Sequence, residues 1–321
     1  MLSTQNLHLG NANVNLRFTH GMVSPAYKTY NITGCSVGLI AQWIKSETAK
    51  RFFYNATTVG ASVCRRNVEW DTLYEQPLYL PCLAEQEKVA KFLSLLSERI
   101  SKQQQFVAAL KKYKRGLLQG IFNELINRYT KRSLKEVTIL FADGDWIESK
   151  DQAQNGIRLI QTGNIGFGVY LDKPQNAKYI SEETFYRMKC LEVMAGDILI
   201  SRLPDPAGRA CIVPETRQRL ITAVDCTIVR VDKTVLDRGF LLQFLCSEQY
   251  LKTVGSFLAG GTRQRISRKN LEEIKVPYPP LETQKHYGIF LSKIDCRIEN
   301  AEATLQRLKE VRHCMMQQLF I

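Results

Sequence analysis

Two long stretches of the chain place apolar residues at the first and fourth positions of a seven-residue repeat. The first stretch runs from Leu83 to Phe122 and the second from Leu281 to Phe320. Each follows a proline and contains none, which suits the start of a helix. A seam sustained for about five heptads is typical of long helices that pair as a coiled coil. The predicted seam includes Leu93, Leu96, Ile100, Leu110, Leu291, Ile294, Ile298 and Leu308.

The two stretches are copies of one unit. A shift of 198 residues aligns them without a gap and places Phe122 on Phe320. The shift also places Lys114 on Arg312, so each copy carries a cation where the heptad otherwise has an apolar residue. Such a cation costs stability but helps to fix the register of paired helices. Two unrelated amphipathic helices would not be expected to share these features.

The repeat extends upstream of the long helices. The segment QWIKSE at 42–47 recurs as QFLCSE at 243–248, and a polar stretch with Gly and Arg follows each, at 57–67 and 258–270. We interpret both polar stretches as basic loops. Residues 131–222 have no counterpart, and their strand-like runs alternate with Gly, Asn, Asp and Pro turns, which predicts a β-rich region. These runs are DWIES, GIRLIQTGNIGFGVYLD, GDILISRL, RACIVPE and RLITAVDCTIVRV.

Composition narrows the class of protein. The 321 residues are enough for roughly two domains. The net charge of +13 suits a polyanionic partner such as nucleic acid, although a soluble basic protein without such a partner has the same excess. Nine cysteines without a C-x-x-C pair or a secretion signal indicate reduced thiols and a cytoplasmic location. No apolar run approaches the ~18 residues of a membrane span, and no histidine pair suggests a metal site.

Several short motifs resemble the specificity (S) subunit of type I restriction-modification systems. They occur in order and twice over, with the long helices between them, and cover nearly the whole chain from about Gly21. The motifs are Pro-Pro-Leu-Glu-x-Gln at 279–284 with its partner at 81–86, GMVSPAY at 21–27, IQTGNI at 160–165, GDILISR at 196–202 and GGTRQRIS at 260–267.

The resemblance implies an α+β fold with globular, β-rich target recognition domains and two long helices that form an antiparallel coiled coil. The expected division is a partial first recognition domain at 1–80, its back half only, and a central long helix at 81–125. A complete second recognition domain is expected at 126–278 and a C-terminal long helix at 279–321. In this interpretation the first recognition domain is truncated at its N-terminus.

The resemblance also implies a function. Each recognition domain would read one half of a split site on double-stranded DNA, and the helices would set the distance between the two. Methyltransferase (M) subunits would dock on the helices, a restriction (R) subunit would join them, and a second copy of the chain could cover the apolar surface of the half domain. The S subunit does no chemistry, so S-adenosylmethionine, ATP and Mg would be held by the partner subunits only.

The candidate DNA contacts are residues with forked or paired donors, because such side chains read base edges. For any of these loops the alternative is a solvated basic turn, and the QTGNIG segment could simply cap a turn. The repeat and the resemblance favour contact. The candidates are Arg263, Gln264, Arg265, Thr162, Asn164, Arg202, Arg65, Arg66 and Asn67.

The sequence offers no catalytic residues for an enzyme reading. A G-x-x-x-x-G-K-[ST] phosphate loop is absent, and GNIGFG does not complete G-x-G-x-x-G because Leu171 stands at the last position. No adenine methyltransferase motif occurs. Two alternatives remain: a coiled-coil scaffold without a DNA role, or a silent, truncated specificity cassette with the right fold and no activity.

Overall fold

The computed structural model describes residues 1–62, 65–204, 206–258 and 264–320. The chain divides into two compact units. Unit 1 consists of Met1–Ala108 with Glu299–Ile321, and unit 2 consists of Ala109–Ile298. Each unit therefore holds one half of each long helix. No helix among the described residues is long and apolar enough to cross a membrane.

The long helices begin where the sequence predicts, at the first residue after each proline-containing segment. The first continues six residues past Phe122, through the good helix formers of NELINR. The helices are α1 (Val37–Trp43), α2 (Glu47–Asn55), α3 (Trp70–Glu75), α4 (Leu83–Arg128), α5 (Glu182–Met188), α6 (Arg238–Leu245), α7 (Glu248–Ser256), α8 (Arg268–Glu273) and α9 (Leu281–Leu319).

The strands are short and form small sheets. In unit 2 the order β10-β9-β12-β6 makes an antiparallel sheet, β11-β7-β8 makes a mixed sheet, and β13 pairs with β5. In unit 1, β1 pairs with β2 and β3 with β4. The strands are β1 (Leu2–Ser3), β2 (Tyr27–Lys28), β3 (Thr57–Ser62), β4 (Arg65–Val68), β5 (Lys131–Ser133), β6 (Thr138–Asp143), β7 (Ile157–Ile160), β8 (Lys178–Ile180), β9 (Ile198–Ser201), β10 (Ala210–Ile212), β11 (Leu220–Thr222), β12 (Cys226–Val231) and β13 (Lys275–Pro277).

The predicted β-rich region is confirmed, with three differences. DWIES forms no strand, and its last residue begins a short 3-10 helix, Ser149–Asp151. The run predicted from Arg219 onward splits into β11 and β12, because the chain turns between Thr222 and Cys226. Strand β6 was not predicted; its TILFAD sequence lacks the apolar-polar alternation that marks a half-buried strand.

The predicted antiparallel coiled coil is confirmed. In unit 1 the first half of α4 packs against the last half of α9, and in unit 2 the remaining halves do the same. Leu93 and Leu291, equivalent in the repeat, are both fully buried. The Gln103 side chain donates to the Ala301 carbonyl at 2.9 Å, so a polar seam position is satisfied across the pair. All eight seam residues predicted above are buried or half-buried.

The recurring Ser-Glu segment upstream of the long helices is explained by capping. Ser46 accepts a hydrogen bond from the Ala49 amide at 3.0 Å and caps α2, while Ser247 does the same for α7 with the Tyr250 amide at 3.3 Å. The following glutamate lies in the first helical turn, where a negative charge is favourable. The repeat therefore preserves two helix starts.

The glutamine that the repeat places at the start of each long helix ties that helix to its domain. Gln284 accepts a hydrogen bond from the Asp237 amide at 2.9 Å and donates to the Pro279 carbonyl at 2.8 Å. Asp237 is the N-cap of α6. In unit 1, Gln86 makes the equivalent bonds at 2.8 Å each, to the amide of the α1 cap Ser36 and the carbonyl of Pro81. The same glutamine thus fixes the domain helix on the long helix in both units.

The substitution Gly288→Ala is expected to destabilise unit 2. A Cβ at position 288 would lie 2.7 Å from Asp237 Oδ1 and 2.9 Å from the Phe240 amide, the two partners of the α6 cap. Overpacking at this contact and loss of the cap should outweigh the gain of about 1 kcal/mol that alanine brings to a helix interior. We therefore expect a net decrease of about 1–2 kcal/mol in the free energy of unfolding, measured by urea titration. The control is Gly120→Ala in α4, where a Cβ meets nothing within 4 Å. That change should stabilise the protein by about 1 kcal/mol, and a loss at both positions would contradict this account.

Candidate nucleic-acid interface

Two segments of unit 2 that carry candidate residues are joined by backbone hydrogen bonds to each other and to the turn before β12. The Arg202 amide, just after β9, donates to the Asp225 carbonyl in the turn before β12 at 2.9 Å. The Arg202 carbonyl accepts from the Ile266 amide, in the segment before α8, at 3.2 Å. Ile266 is fully buried in the core of unit 2 and anchors its segment. The stretch around Gln264, which the sequence predicts to contact DNA, is therefore anchored to the core of unit 2.

The Arg202 side chain is part of that support. Its exposed fraction is 5%, and its Nη2 lies 2.5 Å from the Val224 carbonyl and 3.2 Å from Asp143 Oδ2. Asp143 is held in turn by the Thr227 hydroxyl at 2.9 Å. Burial lowers the pKa of Arg202 from its ordinary value, while the Asp143 charge opposes that effect. The forked donor of Arg202 is thus directed into the protein in this structure, and its contact with DNA stays a prediction.

Gln264 and Arg265 are arranged differently. Gln264 is exposed, and 41% of the Arg265 side chain is exposed. One Arg265 nitrogen, Nη2, lies 3.1 Å from Asp225 Oδ1, which holds the guanidinium at the surface. Both residues immediately precede the buried anchor Ile266. The amide of Gln264 and the guanidinium of Arg265, which Asp225 holds, thus face solvent on a segment anchored by Ile266. Arg263 lies outside the described residues.

The QTGNIG segment forms a short 3-10 helix, Thr162–Asn164. Asn164 is buried; its Oδ1 accepts from the Gln161 amide at 3.0 Å and its Nδ2 donates to the Leu171 carbonyl at 2.9 Å. Arg209 donates to the Thr162 carbonyl at 2.9 Å. The capping alternative therefore describes Asn164, whose polar atoms hold the turn, while the Thr162 side chain is half-buried.

The candidate residues of unit 1 lie on a hairpin rather than on the predicted loop. Strands β3 and β4 pair antiparallel, with Thr58 opposite Asn67. Arg66 stacks on the Tyr54 ring at 4.2 Å and donates to the Thr57 hydroxyl and carbonyl at 2.7 Å each, so its fork is engaged within the unit. Asn67 is exposed. Arg65 begins β4, and its side chain lies outside what the structure describes.

Sequence reasoning missed the two carboxylates that organise this region. Asp225 holds Arg265, and Asp143 neutralises Arg202. No local pattern identifies either residue, because each lies far along the chain from the arginine that it contacts. The contacts depend on sheet pairing, which brings β6, β9 and β12 side by side.

Comparisons with known proteins agree with the fold. The family model for the type I restriction modification DNA specificity domain matches residues 126–310. The Type I restriction enzyme MjaVIII specificity subunit of Methanocaldococcus jannaschii is 24% identical over 290 residues, which are 83% of this chain and 66% of that protein. The chain thus spans about two thirds of the length of that curated relative.

Two solved structures have a similar fold. The crystal structure of a type I restriction-modification S subunit from M. genitalium is 15% identical, with a TM-score of 0.58 over 89% of this chain and 72% of that one. A structure titled for complex assembly and conformational transition of the type I R-M system is 20% identical, with a TM-score of 0.57 over 89% and 71%. Because the family match covers more than half of the sequence, the chain belongs to the type I restriction modification DNA specificity family.

Proposed function

We propose that this chain is the DNA-recognition subunit of a type I restriction-modification complex and directs M and R subunits to a bipartite site. The observation that carries the proposal is the family match over unit 2. The recurrence in unit 1 of the same capped helices, glutamine tie and long helix supports two readers on one chain. Methyl transfer and cleavage, with S-adenosylmethionine, ATP and Mg, are assigned to the partner subunits.

Gln264 and Arg265 are the proposed base readers of unit 2, because they are exposed and carry donors suited to base edges. Arg263 is retained as a proposed contact from the sequence alone. Asn67 is the corresponding exposed amide on the hairpin of unit 1. Three further candidates serve as supports: Arg202, Asn164 and Arg66 hold the segments from which the readers project. Thr162 and Arg65 are retained as proposed contacts from the sequence alone.

The long helices offer matching surfaces for M subunits. Large apolar side chains remain exposed at two positions that the 198-residue shift relates. Unit 1 carries Phe92 and Val311, and unit 2 carries the equivalents Phe290 and Tyr113. Contiguous exposed apolar surface is typical of sites that bind a partner, and we propose that these side chains contribute to such a surface in each unit. The duplication supports one M subunit for each unit.

Methylome sequencing tests the proposal. The chain is expressed with a cognate M subunit in cells that lack other adenine methylation, and an intact S subunit verifies that the M subunit is active. A new methylated bipartite motif is the expected result. No new motif, with the control positive, would overturn the proposal in favour of the scaffold or the silent cassette.

The substitution Asp225→Asn is expected to weaken specific DNA binding by about tenfold or less. It removes the charge that holds the Arg265 guanidinium but leaves an amide oxygen at the same position. Base recognition should therefore lose pre-organisation rather than the contact itself. Binding of the assembled complex to its site and to random duplex DNA is measured at fixed salt. An equal loss on both DNAs would show that Asp225 acts on affinity rather than on specificity.

A further inference from the structure

Unit 1 contains a positively charged cleft that is lined by none of the candidate DNA-contacting residues. It lies between the start of α2 and the last turns of α9 and has a volume of about 710 Å³. One carboxylate, Glu47, contributes to the lining. The basic residues that line the cleft are Lys45, Arg51, Lys309, Arg312 and His313.

The positive charge of this cleft is only partly compensated within the part of the chain that the structure describes, because its one carboxylate, Glu47, also interacts with Arg51 and His313. Glu47 is already paired with Lys50 at 2.6 Å. No described carboxylate lies within 4 Å of the charged nitrogens of Lys45, Arg51 or Lys309. Arg312 bonds only neutral groups there: Nε donates to Ser97 Oγ at 3.2 Å and Nη2 to the side-chain oxygen of Gln42 at 3.2 Å.

Comparison of the two copies of the repeat shows that the seam cation of unit 1 lacks the carboxylate partner that its counterpart in unit 2 has. In unit 2 the equivalent of Arg312 is Lys114, and it forms an ion pair with Asp295. The 198-residue shift places Ser97 at the position of Asp295. Unit 2 therefore supplies its seam cation with an anion from the facing helix, whereas unit 1 supplies a hydroxyl. The comparison predicts that an anion from outside the chain completes unit 1.

The repeat also shows why the cleft is open. Aligning QWIKSE at 42–47 with QFLCSE at 243–248 places Thr48 on Gln249 and Arg51 on Lys252. The Gln249 amide donates to the Gln119 carbonyl at 3.0 Å and to Asn123 Oδ1 at 2.6 Å. That longer side chain bridges α7 and α4. In unit 1 the shorter Thr48 side chain donates to the Phe320 carbonyl and leaves the neighbouring space free.

The charges and donors around this space suit a phosphate group. Arg312, whose Nε and Nη2 bond Ser97 and Gln42, contributes its positive charge. Lys309 and Arg51 add two further charged donors, and the first turn of α2 brings the positive end of a nine-residue helix. Gln76 Nε2, which also belongs to the lining, is buried without a hydrogen-bond partner among the described residues. Helix start, guanidinium and unused amide together form a set of donors for several anionic oxygens.

We propose that the cleft of unit 1 binds a phosphate group, which supplies the negative charge that Asp295 supplies in unit 2. The phosphate comes from a small phosphate compound or from a DNA backbone, since both present the same oxygens. The proposal does not depend on base reading by unit 2, because every residue that lines the cleft belongs to unit 1.

The first test is isothermal titration of the full chain with inorganic phosphate at constant ionic strength. The variant Arg51→Gln, Lys309→Gln should weaken binding at least about tenfold, because two charged donors are lost. The matched control is Lys252→Gln, Lys111→Gln, which makes the same charge change at the equivalent positions of unit 2 and should leave the affinity within about twofold. Absence of saturable binding in the unmodified chain, or equal losses in both variants, would overturn the proposal.

The second test is Ser97→Asp, which gives Arg312 the carboxylate that its counterpart has. Phosphate binding should disappear, while the unfolding temperature without phosphate stays equal or rises. A folded Ser97→Asp chain that binds phosphate as tightly as the parent would contradict the proposal.

Competition with random duplex DNA distinguishes the two sources of phosphate. If the duplex displaces inorganic phosphate, the cleft holds DNA backbone, and the Arg51→Gln, Lys309→Gln variant should show a shallower salt dependence of DNA binding. If phosphate binds equally well to the DNA-bound chain, the occupant is a small phosphate compound. Both results support the cleft as a phosphate site, and they differ only in where the phosphate comes from.

Discussion

The double substitution Gln264→Ala, Arg265→Ala is expected to abolish site-specific methylation by the assembled complex. Each well-placed paired contact to a base edge contributes about 1–3 kcal/mol of discrimination, so loss of two contacts predicts a decrease of roughly a hundredfold or more in specific affinity. The fold should survive, since both side chains reach solvent and the buried anchor Ile266 is unchanged.

The measurement combines methylome sequencing with binding to the site and to random duplex DNA over a range of salt. Arg268→Ala is the control: it removes an equal charge three residues along the chain, where the side chain is 49% exposed and pairs with Glu272 at 3.1 Å. That change should weaken binding to the specific site and binding to random duplex DNA slightly and equally. An unchanged methylated motif in the double variant, or an equal loss of specificity in Arg268→Ala, would show that the base readers lie elsewhere.

The pairing of the two long helices was predictable from the sequence because it depends on a periodic pattern of apolar residues. A seven-residue repeat and a gapless internal copy fix which faces of α4 and α9 are apolar, and Leu93 and Leu291 are buried accordingly. The same alignment identified Lys114 and Arg312 as register-setting cations. It did not identify their partners, because the facing residues, Asp295 and Ser97, differ between the copies and are set by antiparallel packing.

The candidate site was less predictable, because exposure of a charged residue is decided by distant parts of the chain. Arg202 and Arg265 look equivalent in sequence, as arginines within short motifs that resemble those of the family. Pairing of β6 with β12 positions Asp143 beside the buried side chain of Arg202. Asp225, in contrast, contacts Arg265 at the surface. Likewise, the local composition of the polar stretch before α3 indicated a loop, but the stretch contains a hairpin. Pairing between its two strands satisfies the backbone hydrogen-bonding groups.

The substitution Asp295→Ala is expected to cause the largest loss of stability among the polar residues of the coiled coil. Asp295 accepts hydrogen bonds from Lys114 and from the Gln243 amide, the latter at 2.8 Å. Only 15% of the Lys114 side chain is exposed, and Gln243 is buried. The variant would leave a largely buried cation and a buried amide without their acceptor. We expect a decrease of about 3 kcal/mol in the free energy of unfolding, measured by urea titration of the full chain.

The internal repeat provides the matched control for that loss. Ser97→Ala, at the equivalent position of unit 1, removes one hydrogen bond of 3.2 Å from a cation that has no carboxylate partner, so it should cost about 1 kcal/mol or less. The rescue variant Asp295→Ala, Lys114→Met removes the buried charge as well, and an apolar pair of similar volume should restore most of the stability. If Asp295→Ala costs no more than Ser97→Ala, the ion pair does not stabilise the helices. If the rescue variant is as unstable as Asp295→Ala, the loss comes from the Gln243 contact rather than from the stranded cation.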